Sequence, residues 1–157
     1  QGFSDDSSWA RGQSWAVYGL ALCYHYTHEE AILPLFERVT KYFIDHLPED
    51  YVPYWDLIFS DGSCEPRDTS AAAIAACGIL EMEKYYHNQE FLDIAKKMMS
   101  SLSEKYTTVD YLQSNGIIKD GMYSRKHGHK SECTSWGDYF YLEALMRMKK
   151  SDWKIYW

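Results

Sequence analysis

The chain has 157 residues, a formal charge of −7, 46% hydrophobic and 25% charged residues, and an aromatic content of 17%. That balance describes one globular domain rather than a disordered segment, and its acidic sign argues against a nucleic-acid partner, which calls for a basic face. No apolar run approaches the roughly 20 residues of a membrane-spanning helix, so no membrane partner is expected. The four cysteines, Cys23, Cys64, Cys77 and Cys133, show neither CxxC spacing nor a disulfide framework.

The chain opens with Ser4-Asp5-Asp6-Ser7-Ser8, a run of N-cap residues with favourable charge for a helix dipole. The helix behind it should run from about Ser8 to Thr27. From Trp15 to Tyr26 it is apolar or aromatic nearly throughout, the pattern of a helix buried on all sides, with Gly12 and Gly19 allowing close approach. Trp9, Arg11 and Trp15 can face one concavity near its start at about 100° per residue. Ring faces suit a sugar, and a guanidinium fork suits a carboxylate, so this element fits a flat anionic ligand such as a sugar acid. Adjacent Asp5 and Asp6 read as helix-end residues rather than an acid/base pair.

A second, amphipathic helix follows over about Glu29 to Leu47, carrying Ile32, Phe36, Val39 and Phe43 at helical spacing, with Pro34 tolerated in its first turn. Residues 48–67 break the pattern with Pro48, Pro53, Gly62 and Pro66. They still carry Tyr51, Tyr54, Trp55 and Phe59, which makes this loop packed or functional rather than loose. Asp68-Thr69-Ser70 caps a third helix whose run Ala71 to Gly78 reads as buried, ending near Tyr86-His87-Asn88. The fourth, amphipathic, spans about Gln89 to Tyr106. A short extended segment covers 116–123, a polar loop 124–134, and a fifth helix begins near Ser135 and runs to about Lys149.

Small-residue, apolar helices thus alternate with amphipathic ones, joined by short turns within a pair and long loops between pairs. The fold class expected is all-α: a partial (α/α)6 toroid of about five helices in inner/outer hairpins, with residues 1–157 as its C-terminal portion. Twelve helices complete such a toroid, so five leave apolar inner faces open to water.

Four stretches resemble, in order, the unsaturated glucuronyl hydrolases: Gln1 through Trp15; Tyr42 to Pro48 with Val52 to Asp56; Asp68 to Ala76; and Trp136-Gly137-Asp138-Tyr139-Phe140-Tyr141-Leu142-Glu143-Ala144-Leu145. The related unsaturated rhamnogalacturonyl hydrolases share the fold but lack the Trp-Gly-Asp-Tyr-Phe motif. The resemblance implies removal of a 4,5-unsaturated uronic acid from the non-reducing end of lyase-generated oligosaccharides. A carboxylic acid protonates the C4=C5 vinyl ether, water adds at C5, and the hemiketal opens to release the glycan. It implies that Gln1, Trp9, Arg11, Trp15 and Tyr123 line the uronate subsite, with Arg11 on the carboxylate. It also implies that the family's catalytic aspartates lie before the Gln1 position, so this chain alone would be inactive and partnered by the missing N-terminal part of the toroid. A non-catalytic carbohydrate-binding or inactive truncated fragment is the alternative.

The dense basic loop, Arg125, Lys126, His127, Lys130 and Ser131, reads either as a solvated loop or as a cleft mouth meeting sulfate or a second uronate. His127, His129 and Cys133 have no fourth ligand at zinc spacing; no metal and no cofactor is expected. Met82, Met98 and Met99 read as core filler.

Overall fold

The computed structural model describes residues 2–128, 130–150 and 152–155, the side chain of residue 126 excepted. Among the described residues are five α-helices, α1 (Ala10–Thr27), α2 (Ile32–Asp45), α3 (Thr69–Met82), α4 (Gln89–Lys105) and α5 (Ser135–Lys149), and one short 3-10 helix. The segment expected to be extended over 116–123 forms only isolated bridges, Thr107 to Ile118 and Gly121 to Glu132, among the described residues. No helix is long and apolar enough to cross a membrane.

Cross-helix contacts fix the layout. Arg11 of α1, Ser70 of α3 and Trp136 of α5 meet at one end. Midway, Tyr18 lies against Phe140, and the Cys77 Sγ bonds the Phe140 carbonyl. At the far end Glu81 of α3 takes both His25 of α1 and Arg147 of α5. Positions rise together on all three helices, so α1, α3 and α5 run parallel as an inner layer, and α2 packs outside α1 and α4 outside α3. This is the inner/outer arrangement of part of an (α/α)6 toroid.

Burial follows from composition. On α3, thirteen residues from Thr69 to Met82 are buried, including Glu81. The amphipathic outer helices turn Phe36 and Phe43 (α2) and Phe91, Ala95, Met98, Met99 and Leu102 (α4) inward, with Ile32 and Val39 partly buried against the same core. Met82, Met98 and Met99 are all core residues. Pro34 is the third residue of α2, where its missing N–H would have had no helical partner.

Three expectations need correction. Helix α1 is not buried all round: Trp15, Cys23 and Tyr26 are exposed on it, as are Tyr139, Leu142 and Met148 on α5. Its apolar residues exceed what two neighbouring helices can cover. The close approach in the core comes from Gly78 and not Gly19: a Cβ at Gly78 would lie 2.8 Å from the backbone N and Cα of Tyr18, whereas one at Gly19 meets nothing within 4 Å. Helix α1 is also not capped by its acidic prelude. Trp9 sits at the N-cap without a side-chain bond, and the Ala10 N–H donates to the Trp55 carbonyl 3.1 Å away. Helices α4 and α5 have side-chain caps, Asn88 accepting from the Phe91 N–H and Thr134 from the Gly137 N–H.

The far end of the inner layer holds a polar knot. Arg147 pairs with Glu143 at 2.7 Å and with Glu81, which also takes Lys84 and His25, both at 2.8 Å; the Tyr18 hydroxyl donates to Glu143 at 3.1 Å. Burial alone would raise the Glu81 carboxyl, but Lys84 and Arg147 outweigh it and hold it below its ordinary 4.5. A depressed native value means that Glu81 stabilises the fold above about pH 4.5 and that this contribution is lost as pH falls through the native value. Glu81→Gln is expected to lower the urea midpoint at pH 7 and to flatten its decline below pH 4.5. An unchanged acid limb would show that other carboxylates govern it.

Candidate functional site

The N-terminal ends of α1, α3 and α5 converge, bringing three positive dipole ends toward one region. Arg11 sits there, one turn into α1 and only 4% exposed. Its guanidinium carbon lies 4.9 Å from the Trp9 ring centre and 5.1 Å from that of Trp136. Its Nη1 pairs with Asp68 at 3.3 Å and donates to the Ser70 hydroxyl at 3.3 Å, and its Nη2 donates to the Tyr123 carbonyl at 2.9 Å. These three partners take at most three of the five guanidinium N–H donors.

Asp68 is the partner that sequence reasoning assigned only to capping. It is fully buried at the N-cap of α3. One carboxylate oxygen faces Arg11, and the other accepts the Ser70 hydroxyl at 2.5 Å. Burial pushes the Asp68 carboxyl above its ordinary value, opposed by Arg11, by the Ser70 bond, and by the Met122 and Ala71 backbone N–H groups. Ser70 in turn accepts from the Trp136 Nε1 at 3.2 Å. Asp68, Ser70 and Trp136 thus form a scaffold around Arg11. The signal that could have found them was their place at the heads of two inner helices, inside the motifs that begin at Asp68 and Trp136.

The other expected residues fall in two groups. Tyr123 packs on Trp136 with ring centres 5.8 Å apart and is 50% exposed. Trp15, four residues after Arg11, stands edge-on to Phe140 at 5.2 Å and is 38% exposed. Trp9, Arg11 and Tyr123 are therefore directly joined, and Trp15 borders them one turn along through Phe140, itself four residues after Trp136. Gln1 and His129 lie outside the described residues. In the basic loop, Arg125 to His127 form a 3-10 turn. Arg125 reaches the site, lining a small recess together with Trp9, Trp55, Tyr123 and Ser124. The His127 ring contacts the Ser124 hydroxyl at 2.6 Å. Lys130 and Ser131 are exposed just before Glu132, which pairs with Gly121, and nothing brings them to Arg11.

A second recess of about 300 Å³ adjoins the first, lined by Phe3, Trp55, Glu65 and Arg125. The loop 48–67 builds it. Arg67 pins that loop, lying 3.9 Å from the Tyr54 ring centre and donating to the Val52 carbonyl at 2.9 Å. Asp56, fully buried, ties the chain start to the loop: it accepts the Phe3 N–H at 2.7 Å, the Ser7 hydroxyl at 2.8 Å and the Ile58 N–H at 3.1 Å. Asp138 likewise accepts the N–H groups of Ile117 and Ile118 at 2.9 and 3.0 Å, fixing the loop that leads to Tyr123. Both aspartates pin loops; Asp138 leaves the cap of α5 to Thr134. Among the described residues, no group of three His, Cys, Asp or Glu could hold a metal ion.

The family model described as Glycosyl Hydrolase Family 88 matches residues 2–151. The chain is 48% identical over its whole length to the unsaturated chondroitin disaccharide hydrolase of Streptococcus pneumoniae (strain ATCC BAA-255 / R6) and 38% identical over 96% of its length to the unsaturated glucuronyl hydrolase of Bacillus sp. (strain GL1). It spans 41% of the length of each of these curated relatives. A crystal structure of a Streptococcus agalactiae unsaturated glucuronyl hydrolase variant complexed with dGlcA-GalNAc6S superposes with a TM-score of 0.95 at 46% identity, covering all of this chain and 43% of that one. With a family match over nearly its full length and the same fold as these hydrolases, the chain belongs to glycosyl hydrolase family 88.

Proposed function

We propose that this chain binds the 4,5-unsaturated uronate at the non-reducing end of lyase-generated oligosaccharides and serves its hydrolytic removal through hydration of the vinyl ether. The observation that carries the reading is Arg11, a cation set between two indoles where three helix N-termini meet. Desolvated guanidinium donors and aligned dipoles favour a carboxylate there more than at an open surface. Trp15 and Tyr123, each at least one-third exposed, supply ring surface for a sugar beside it. The similarity to unsaturated chondroitin disaccharide and glucuronyl hydrolases supports the same ligand class.

The proton donor is proposed to come from residues other than these 157. Of the two buried aspartates at this end, Asp68 is paired with Arg11 and Asp56 accepts three bonds from the chain start and loop. The lining of two recesses by Arg125 supports reading the basic turn as a cleft mouth, where it would meet a sulfate or a second uronate of a longer substrate.

The test is a pair of measurements. Glucuronate binding, followed by the indole resonances of Trp9 and Trp136, should weaken roughly tenfold or more in Arg11→Lys, which keeps the charge for Asp68 but loses the planar fork. Unchanged binding would remove Arg11 from the carboxylate. The chain by itself should release no unsaturated uronate from a clean disaccharide; measurable release would show that the acid lies within it.

A further inference from the structure

At the other end of the inner layer from Arg11, beside the polar knot, lies a cleft of about 290 Å³. Helix α5 ends at Lys149, and the chain then turns back, the Trp153 N–H donating to the Lys150 carbonyl at 3.1 Å. Lys84 fastens that turn, donating to the Trp153 carbonyl at 3.0 Å and to Glu81 at 2.8 Å. Trp153 is thereby held as one wall of the cleft, and Leu80, Leu92 and Met148 add apolar surface from α3, α4 and α5. Met148 is 45% exposed, so part of this surface stands in water at a hydration cost.

The charge of the cleft runs against that of the chain. The whole sequence carries −7, yet the lining holds Lys84, Lys96, Lys150 and Arg147 with Glu83 as its carboxylate. Arg147 is balanced by Glu81 and Glu143. Glu83 is engaged elsewhere, by the His87 ring at 3.0 Å and the Asn88 N–H at 3.2 Å. The rim is left to Lys150, which is exposed, and to Lys96, whose ammonium is 3.8 Å from Asp93 with both side chains half exposed. Lys84 spends two of its three ammonium hydrogens on Glu81 and the Trp153 carbonyl, which leaves one donor on a fixed group.

An apolar recess under a positive rim fits a ligand with an apolar body and one anionic head. A sugar acid is a poor match, because its hydroxyls would lose water against Leu80, Leu92 and Met148 without finding partners. The volume is at the small end of ligand clefts and suits one ring with a short arm.

We propose that this cleft is a second binding site, remote from Arg11, for a small aromatic carboxylate. The ring packs between Trp153 and the Leu80, Leu92 and Met148 side chains, and the carboxylate meets the ammonium groups of Lys84, Lys96 and Lys150. The site is independent of the uronate reading at Arg11.

Phenylacetate, phenethyl alcohol and phenethylamine present the same ring with an anionic, a neutral and a cationic head. Titrated into the full chain, phenylacetate should shift the Trp153 indole Nε–H saturably and bind about tenfold or more tightly than the alcohol. Phenethylamine should leave that resonance in place, and added salt should weaken the acid, since the rim is exposed. Reversing the two rim charges together, Lys96→Glu with Lys150→Glu, spares the Glu81 contacts. It should weaken phenylacetate about tenfold and leave the alcohol unchanged. Alcohol binding as tight as acid binding in the wild type would overturn the proposal, as would an acid affinity unchanged in the double variant. A Trp153 resonance that no phenylacetate concentration moves would remove the site altogether.

Discussion

Asp68→Asn is expected to destabilise the chain by about 3 kcal/mol or more, the scale on which a buried charge loses its partner. Arg11 would remain 4% exposed, with only a hydroxyl and a carbonyl facing it. The same substitution should weaken glucuronate binding, because the guanidinium is held between Trp9 and Trp136 by the pull of Asp68. Urea unfolding and the Trp9 and Trp136 indole shifts measure the two effects. A double substitution with Arg11→Met should recover most of the stability and none of the binding, since the uncompensated charge is gone. A single variant within about 1 kcal/mol of wild type would show that Arg11 draws its compensation from elsewhere.

Gly78→Val should be comparably damaging, by a different route. The new Cβ would meet the backbone of Tyr18 at 2.8 Å and of Val17 at 3.0 Å. Backbone cannot rotate aside, so α1 and α3 must separate along their most intimate contact, at a cost of about 3 kcal/mol or beyond. The gain from replacing a helical glycine, up to about 1 kcal/mol, does not offset this. Gly19→Ala, on the same helix pair with open space around it, should instead stabilise by about 0.5–1 kcal/mol. The ordering of thermal midpoints, Gly19→Ala above wild type above Gly78→Val, is the check; Gly78→Val melting with wild type would mean that the helices shift apart freely.

Helix number, type and pairing were legible because period and composition carry them. The small-residue run from Ala71 to Gly78 can only pack on all sides, and Phe36 and Phe43 sit seven apart on a face that must be covered. Boundaries were legible where a cap is local, as at Asn88 and Thr134. The start of α1 was not, because its first N–H is satisfied by a carbonyl 45 positions later, beyond any local pattern. The site was half legible. Trp9, Arg11 and Trp15 stand close together in the sequence, and their types suggest an acid-binding sugar site. Asp68, Ser70 and Trp136 come to Arg11 only when three parallel helices align their ends. Asp68 also has a good local alternative as a helix cap, and that reading hides its ion pair. The recess at Phe3 was invisible for the same reason: its walls come from residues 3, 55, 65 and 125.

The carbonyl of Trp55 that closes the first turn of α1 has a consequence for anyone wishing to move this site. A helix bearing Trp9, Arg11 and Trp15, grafted onto another scaffold, would carry those side chains but leave its end unfinished. The aromatic loop that finishes it also leads into Asp68, so cap and counter-ion travel on one piece of chain. The smallest transferable unit is therefore α1 together with the loop and the head of α3, and a cut at the exposed Gly62 turn would divide it.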